Sequence, residues 1–178
     1  MRKLKVTELK RIDVCQFKVS DKTPLTVVLD DVRSMYNVGS VFRTADSFRL
    51  EKIMLCGITA CPPHPEIHKT ALGAELSMEW KKCENTIEAV NKLHEEGYEV
   101  YALEQVEHSV PLQNFKVEQG KKYALILGNE VKGVSQEAVN ICDGAIEIPQ
   151  FGTKHSMNVS VSGGIAIWQI ASQLLKLQ

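Results

Sequence analysis

What most constrains this chain is a series of short, almost unbroken apolar runs separated by helical patterns. The runs are LTVVLDDV (Leu25 to Val32), KIMLCG (Lys52 to Gly57), YEVYALE (Tyr98 to Glu104) and YALILG (Tyr123 to Gly128). Runs this apolar suit strands buried on both faces, as in a parallel sheet covered by helices. Between them, Val38, Val41, Phe42 and Ala45 recur at helical spacing and predict a helix beginning near Asn37. TIEAVNKLHEEG (Thr86 to Gly97) reads as an amphipathic helix stopped by Gly97, and SQEAVNIC as a further helix. SMEW (Ser77 to Trp80) is expected as a short strand and SVPLQNF (Ser109 to Phe115) as a loop. The prolines of CPPHPEIH (Cys61 to His68) impose a loop, with a helical turn over EIHKTALGAE. Strands alternating with helices indicate an α/β domain with a mostly parallel sheet flanked by helices.

The last stretch, Ile146 to Leu177, reads as a short strand ending at Pro149, a polar loop, and a long apolar helix. The loop crowds Gln150, Gly152, Thr153, Lys154, His155, Ser156 and Asn158 between two segments that must be buried. Ordering such a loop costs conformational entropy, and loops of this kind are usually kept for binding or catalysis. In open α/β sheets ligands bind at the carboxyl ends of strands. Three polar loops are expected there: Glu104 onward, Gly128 to Gly133, and Gln150 to Asn158.

A formal net charge of −1 argues against non-specific coating of nucleic acid, which depends on phosphate neutralisation. Charge is local instead: residues 1–22 form a basic N-terminal arm carrying Arg2, Lys3, Lys5, Lys10 and Arg11, ahead of a domain over 23–178. With no secretory h-region and no membrane-spanning run, a cytoplasmic protein with no membrane partner is expected. The five cysteines never form a C-x-x-C pair, which fits buried reduced thiols rather than disulfides or zinc.

Several familiar chemistries are poorly supported. Gly128 to Ser135 has the glycine spacing of a phosphate-binding loop, but Val134 stands where the lysine is needed. There is no G-x-G for a dinucleotide fingerprint, and no G-x-S-x-G elbow to make a hydrolase of Ser156 and His155. His64 and His68 lack further ligands, so no metal is expected. Asn37, Arg43, Glu130 and Asn158, taken singly, each have a plain structural explanation such as a helix cap or a solvated surface charge.

Taken together, NVGSVFRTADSF, LILGNEVKGVS and IEIPQFGTKHSMNVSVSGGIAI, in that order, resemble the SPOUT superfamily of RNA methyltransferases, and within it the TrmH-type RNA 2′-O-ribose methyltransferases. The resemblance runs from Leu25 to the C-terminus. It implies an α/β domain with a C-terminal trefoil knot, an active homodimer, S-adenosyl-L-methionine as cofactor, and tRNA or rRNA as substrate. It further implies catalytic or supporting roles for Arg43, Asn37, Glu130, Ser156 and Asn158, and cofactor binding around Leu103, Glu104, Gly128, Ile148 and Met157. Met157 stands where the family usually has leucine, an apolar-for-apolar exchange. Two other readings stay open at this point: a catalytically silent RNA-binding dimer of the same fold, and a knotted relative that methylates bases.

Overall fold

The computed structural model describes residues 1–177, so the final residue of the expected 23–178 domain lies outside the described part. Seven strands form one sheet: β1 (Thr23–Asp30), β2 (Leu50–Cys56), β3 (Trp80–Cys83), β4 (Tyr98–Leu103), β5 (Val110–Pro111), β6 (Lys122–Leu127) and β7 (Gly144–Glu147). Their order is β3-β2-β1-β6-β4-β7-β5, and every pairing is parallel. The helices are α1 (Val14–Val19), α2 (Met35–Ser47), α3 (Pro65–Ala71), α4 (Ala74–Ser77), α5 (Thr86–Glu95), α6 (Gln136–Val139) and α7 (Val159–Leu174).

The apolar runs are apolar throughout because both sheet faces are covered. Leu25, Val27 and Leu29 of β1 pack with α2, α3 and α7 on one face. Val28, with Met54, Ala124 and Ile126 of its neighbours, packs with α5 and α6 on the other. Phe17 of α1 is buried in the first of these clusters, so the short helix within residues 1–22 rests on the domain.

Two small residues set the distances between layers. A Cβ at Gly39 of α2 would lie 2.2 Å from the Ile67 carbonyl oxygen of α3, and one at Gly163 of α7 would lie 2.6 Å from Leu127 Cδ1 of β6. Helix α2 therefore sits tight against α3, and α7 against the sheet.

Some boundaries differ from expectation. The strand expected over Ser77 to Trp80 instead runs Trp80–Cys83, because an edge strand tolerates the exposed Lys81 and Lys82 that make it look like a loop. SVPLQNF contains the two-residue strand β5, which adds to the outer edge beside β7. Helix α2 begins at Met35, capped by the Ser34 hydroxyl, so Asn37 is inside the first turn rather than at the cap. That frees its side chain for other contacts.

From β1 the chain lays strands outward through β2 to β3, then crosses over to build β4, β6 and β7 on the other side. The loops leaving β1 and β6 meet at the carboxyl end of the sheet, where Asn129 Nδ2 donates to Asp31 O and Glu130 accepts from Arg33 N–H and Ser34 N–H, and a crevice lies at this reversal of strand order.

Gly39→Ala is expected to lower stability by about 1–3 kcal/mol, because the new methyl meets backbone that cannot rotate aside. Urea denaturation checks this; an unchanged midpoint would mean that α2 and α3 can separate at little cost.

Candidate active site

The carboxyl ends of β4, β6 and β7 carry the three polar loops, and together they enclose a cavity of about 100 Å³. Leu103, Glu104, Gly128, Ile148 and Met157 all line it, as do Glu130 and Ser156. Leu103, Ile146, Ile148, Met157 and Val159 give it one apolar side, while Glu104, Gln105, Glu130, Glu147 and Gln150 make the remainder polar. Among the described residues, no hydrogen bond is made to the backbone N–H or C=O of Ile148 or Met157. Such free backbone groups on an apolar wall suit the edge of a planar heterocycle.

The turn after β6 is built by close approaches. At Gly128 a Cβ would lie 2.1 Å from the Gly133 carbonyl carbon and 2.2 Å from Val134 N. Asn129 N–H donates to Gly133 O and Gly133 N–H to Asn129 O, closing the turn on itself. The Glu104 carboxylate accepts from Val134 N–H at 2.9 Å and from Gln105 N–H at 2.9 Å, tying the β4 loop to this turn. Gln105 Nε2 donates to His155 O at 3.1 Å, which links the third loop to the first. Residues 151–156 are otherwise exposed.

Beside the cavity lies a connected polar cluster. Asn37 Nδ2 donates to Glu130 Oε1 at 2.9 Å. The Glu130 carboxylate also accepts from Arg33 N–H and Ser34 N–H, each at 2.9 Å. On its other side, Asn37 Oδ1 accepts from Asn158 Nδ2 at 3.2 Å and from Ser160 Oγ at 3.3 Å. Asn158 Oδ1 caps α7 by accepting from Ser160 N–H and Val161 N–H. Burial pushes the Glu130 carboxyl up, but donation from Arg33 N–H, Asn37 Nδ2 and Ser34 N–H outweighs it, and the group rests below its ordinary value of 4.5.

Arg43 is placed differently. It lies on the exposed face of α2 with Tyr36, Ser40 and Ser47, and its guanidinium has no partner among the described residues. Thus the structure joins Asn37, Glu130 and Asn158 directly, sets Ser156 on the cavity wall, and leaves Arg43 free on the adjoining helix face. Helix α7 runs beside α2, with Phe48 and Trp168 rings 5.5 Å apart, and presents the exposed Val161, Ile165 and Trp168.

Sequence reasoning missed Ser34, Ser160 and Asn129. Ser34 stands three residues before Asn37, the spacing of an N-cap, and Ser160 stands two after Asn158 in an Asx arrangement, so both carried a local signal. Asn129 Nδ2 reaches Asp31 O at 2.7 Å, a contact between distant segments with no local signature. His64 and His68 serve as helix furniture: His64 Nδ1 accepts from Glu66 N–H to cap α3, and His68 pairs with Glu75. Among the described residues no three potential ligand side chains cluster for a metal, and no helix is long and apolar enough to cross a membrane.

With this geometry established, comparison with known proteins identifies the lineage. The model of the SpoU rRNA Methylase family matches residues 24–168. The chain belongs to that family. Among its relatives, the tRNA (guanosine(18)-2′-O)-methyltransferase of Thermus thermophilus is 29% identical over 170 residues, covering 96% of this chain and 86% of the relative. The 23S rRNA (guanosine-2′-O-)-methyltransferase RlmB of Vibrio parahaemolyticus is 27% identical, covering 94% and 67%. The crystal structure of the A. aeolicus TrmH/SpoU tRNA modifying enzyme superposes with a TM-score of 0.80 at 25% identity, over 96% of this chain and 84% of that one. The AdoMet-bound rRNA methyltransferase of Sinorhizobium meliloti gives 0.78 at 25% identity, over 86% and 61%.

Glu130→Gln replaces an acceptor-only group by one whose amide must donate, so the three donors around it cannot all be served. A loss of about 1–2 kcal/mol is expected near neutral pH. Because the Glu130 pKa is depressed on folding, its contribution is present above 4.5 and is lost as pH falls through the lower folded value. Denaturation at several pH values should therefore show the wild-type advantage shrinking below that point; a gap constant with pH would contradict the assigned ionisation.

Proposed function

We propose that this chain transfers a methyl group from S-adenosyl-L-methionine to a ribose 2′-hydroxyl of tRNA or rRNA. Family membership carries this reading, since the relatives from Thermus thermophilus and Vibrio parahaemolyticus are named as guanosine 2′-O-methyltransferases of tRNA and 23S rRNA, and the Asn37–Glu130–Asn158 cluster beside the three-loop cavity supports it. When bound, the cofactor supplies an electrophilic methyl carbon on a sulfonium. The cavity of about 100 Å³ is smaller than the roughly 300–1,000 Å³ of typical ligand sites, so a whole cofactor extends beyond it. In our reading Leu103, Glu104, Gly128, Ile148 and Met157 then hold the adenosine through apolar contact and backbone groups.

Arg43 orients the substrate phosphate and stabilises the oxygen as it loses its proton. A forked guanidinium suits both tasks, whereas its permanent charge makes it a poor base. Asn37, Glu130 and Asn158 fix the start of α2 and of α7, and with Ser156 they position the ribose and Arg43. The C-terminal segment, in which Gly152, Ser156, Ser160, Ser162, Gly163 and Gly164 allow tight threading, forms the trefoil knot in this reading. A second copy covers the exposed apolar stripe of Val161, Ile165 and Trp168 on α7, giving a homodimer. Residues 1–22 act as a basic arm ahead of the catalytic domain over 23–178, and the protein works in the cytoplasm without a metal.

Radiolabelled methyl transfer to cellular RNA tests the assignment, with nuclease digestion and mass analysis locating the label. The wild type is expected to methylate ribose, and Arg43→Ala to lose about 100-fold or more in kcat while keeping cofactor affinity and dimer state. Label on a base, or no incorporation despite RNA binding, would refute the ribose assignment.

A further inference from the structure

A second cavity, of about 330 Å³, opens at the carboxyl ends of β1 and β6, where the direction of strand addition reverses. It shares Asn129 and Gly133 with the cavity already described, so the two lie on opposite sides of one turn. Its mouth is flanked by two apolar side chains left largely in solvent, Ile58 at 67% and Val131 at 78% exposure. Two cations, Arg33 and Lys132, also line it, and neither side chain has a partner among the described residues.

Of the two carboxylates in its lining, Asp30 is engaged by Thr86 Oγ1, Ser135 N–H and Ser135 Oγ, while Asp31 is held in place at some cost. Asp31 takes a left-handed backbone (φ 53°), uncommon outside glycine, and Asn129 Nδ2 holds its carbonyl. Its Oδ1 accepts from Ile58 N–H at 2.9 Å. A Cβ at Gly57 would lie 1.9 Å from that same oxygen, so only glycine there allows the carboxylate its position. Oδ2 has no partner among the described residues. A pinned carboxylate with a free oxygen, two apolar plates and two unpaired cations match the parts of a nucleotide. The plates take the face of a base, the cations take phosphate, and the carboxylate takes adjacent N–H donors on the base edge.

We infer that this crevice is a nucleotide subsite for the RNA, binding a residue next to the one methylated and favouring guanine, whose edge carries two adjacent N–H donors. The inference rests on the RNA methyltransferase reading for its biological ligand. Its location beside Glu130 is fixed by the chain itself, since Glu130 accepts from Arg33 N–H.

Amide chemical-shift mapping of the full chain with each of the four ribonucleoside 5′-monophosphates tests this directly. Saturable shifts are expected at Asp31, Ile58, Val131 and Lys132, with dissociation constants of about 1–10 mM and GMP bound about fivefold tighter than AMP. The Arg33→Ala/Lys132→Ala double variant should weaken all four by about fivefold, and Asp31→Asn should remove the preference for GMP. Both cations are exposed, so the double variant does not depend on tolerance of the core. Absence of shifts at these amides, shifts confined to Leu103, Ile148 and Met157, or displacement of the nucleotide by S-adenosylmethionine would overturn the subsite. Methyl transfer by the wild type, measured alongside, separates the two failures. Methylated RNA with an empty crevice removes only the subsite, whereas no methylated RNA removes the functional reading that supplies its ligand.

Discussion

The site depends on one side-chain amide. Asn37 donates to Glu130 from the turn after β6 and accepts from Asn158 and Ser160 at the start of α7. These partners are 93 to 123 residues away in the chain, so a single group of two donors and one acceptor brings three remote segments into register. An apolar residue at position 37 would leave Glu130 short of one donor and Asn158 Nδ2 without its acceptor, while the Ser160 hydroxyl would keep its shorter bond to Asn158 Oδ1 at 2.7 Å. Because Glu130 also takes the N–H groups of Arg33 and Ser34, the same bond fixes where α2 begins. Helix α2 in turn sets where Arg43 emerges, two turns further along.

Around that amide the fold supplies rigidity where chemistry needs position and leaves freedom where ligands must enter. The turn over Gly128 to Gly133 is closed by its own backbone and clamped by Glu104, and it forms a shared wall of both cavities. Its rigidity has a steric origin, since a side chain at Gly128 would collide with backbone. A bulky substitution there would damage the turn itself as well as any ligand contact, so it is a poor probe of cofactor binding alone. The loop over residues 151–156 is the opposite case, exposed and tied to its neighbours through Gln105.

How much of this was legible follows from the range of each interaction. Doubly buried strands such as β1 and β6 announce themselves by composition, and so does the apolar α7. Strand β5 could not be read, because two residues including Pro111 show no alternation. Strand β3 was displaced because Lys81 and Lys82 look like loop until the edge position is known. The sheet order, and with it the crevice between Ile58 and Val131, depends on where β6 inserts between β1 and β4, which no local pattern encodes. At the site, Ser34 and Ser160 had readable capping signals, whereas the pairing of Asn37 with Glu130 and Asn158 depends on tertiary packing. Resemblance to known methyltransferases drew those residues together before the geometry did.

Two unlike ligands fit this surface for different reasons. The three-loop cavity offers an apolar side and free backbone groups, while the α2 face and the β1–β6 crevice offer Arg43, Arg33 and Lys132, cations without a side-chain partner among the described residues. The most direct test is a map of 2′-O-methyl positions across the tRNA and rRNA of the host, with and without this gene. Loss of one or a few ribose methylations, restored by the wild type and not by Arg43→Ala, is the expected result; an unchanged map would contradict the assignment.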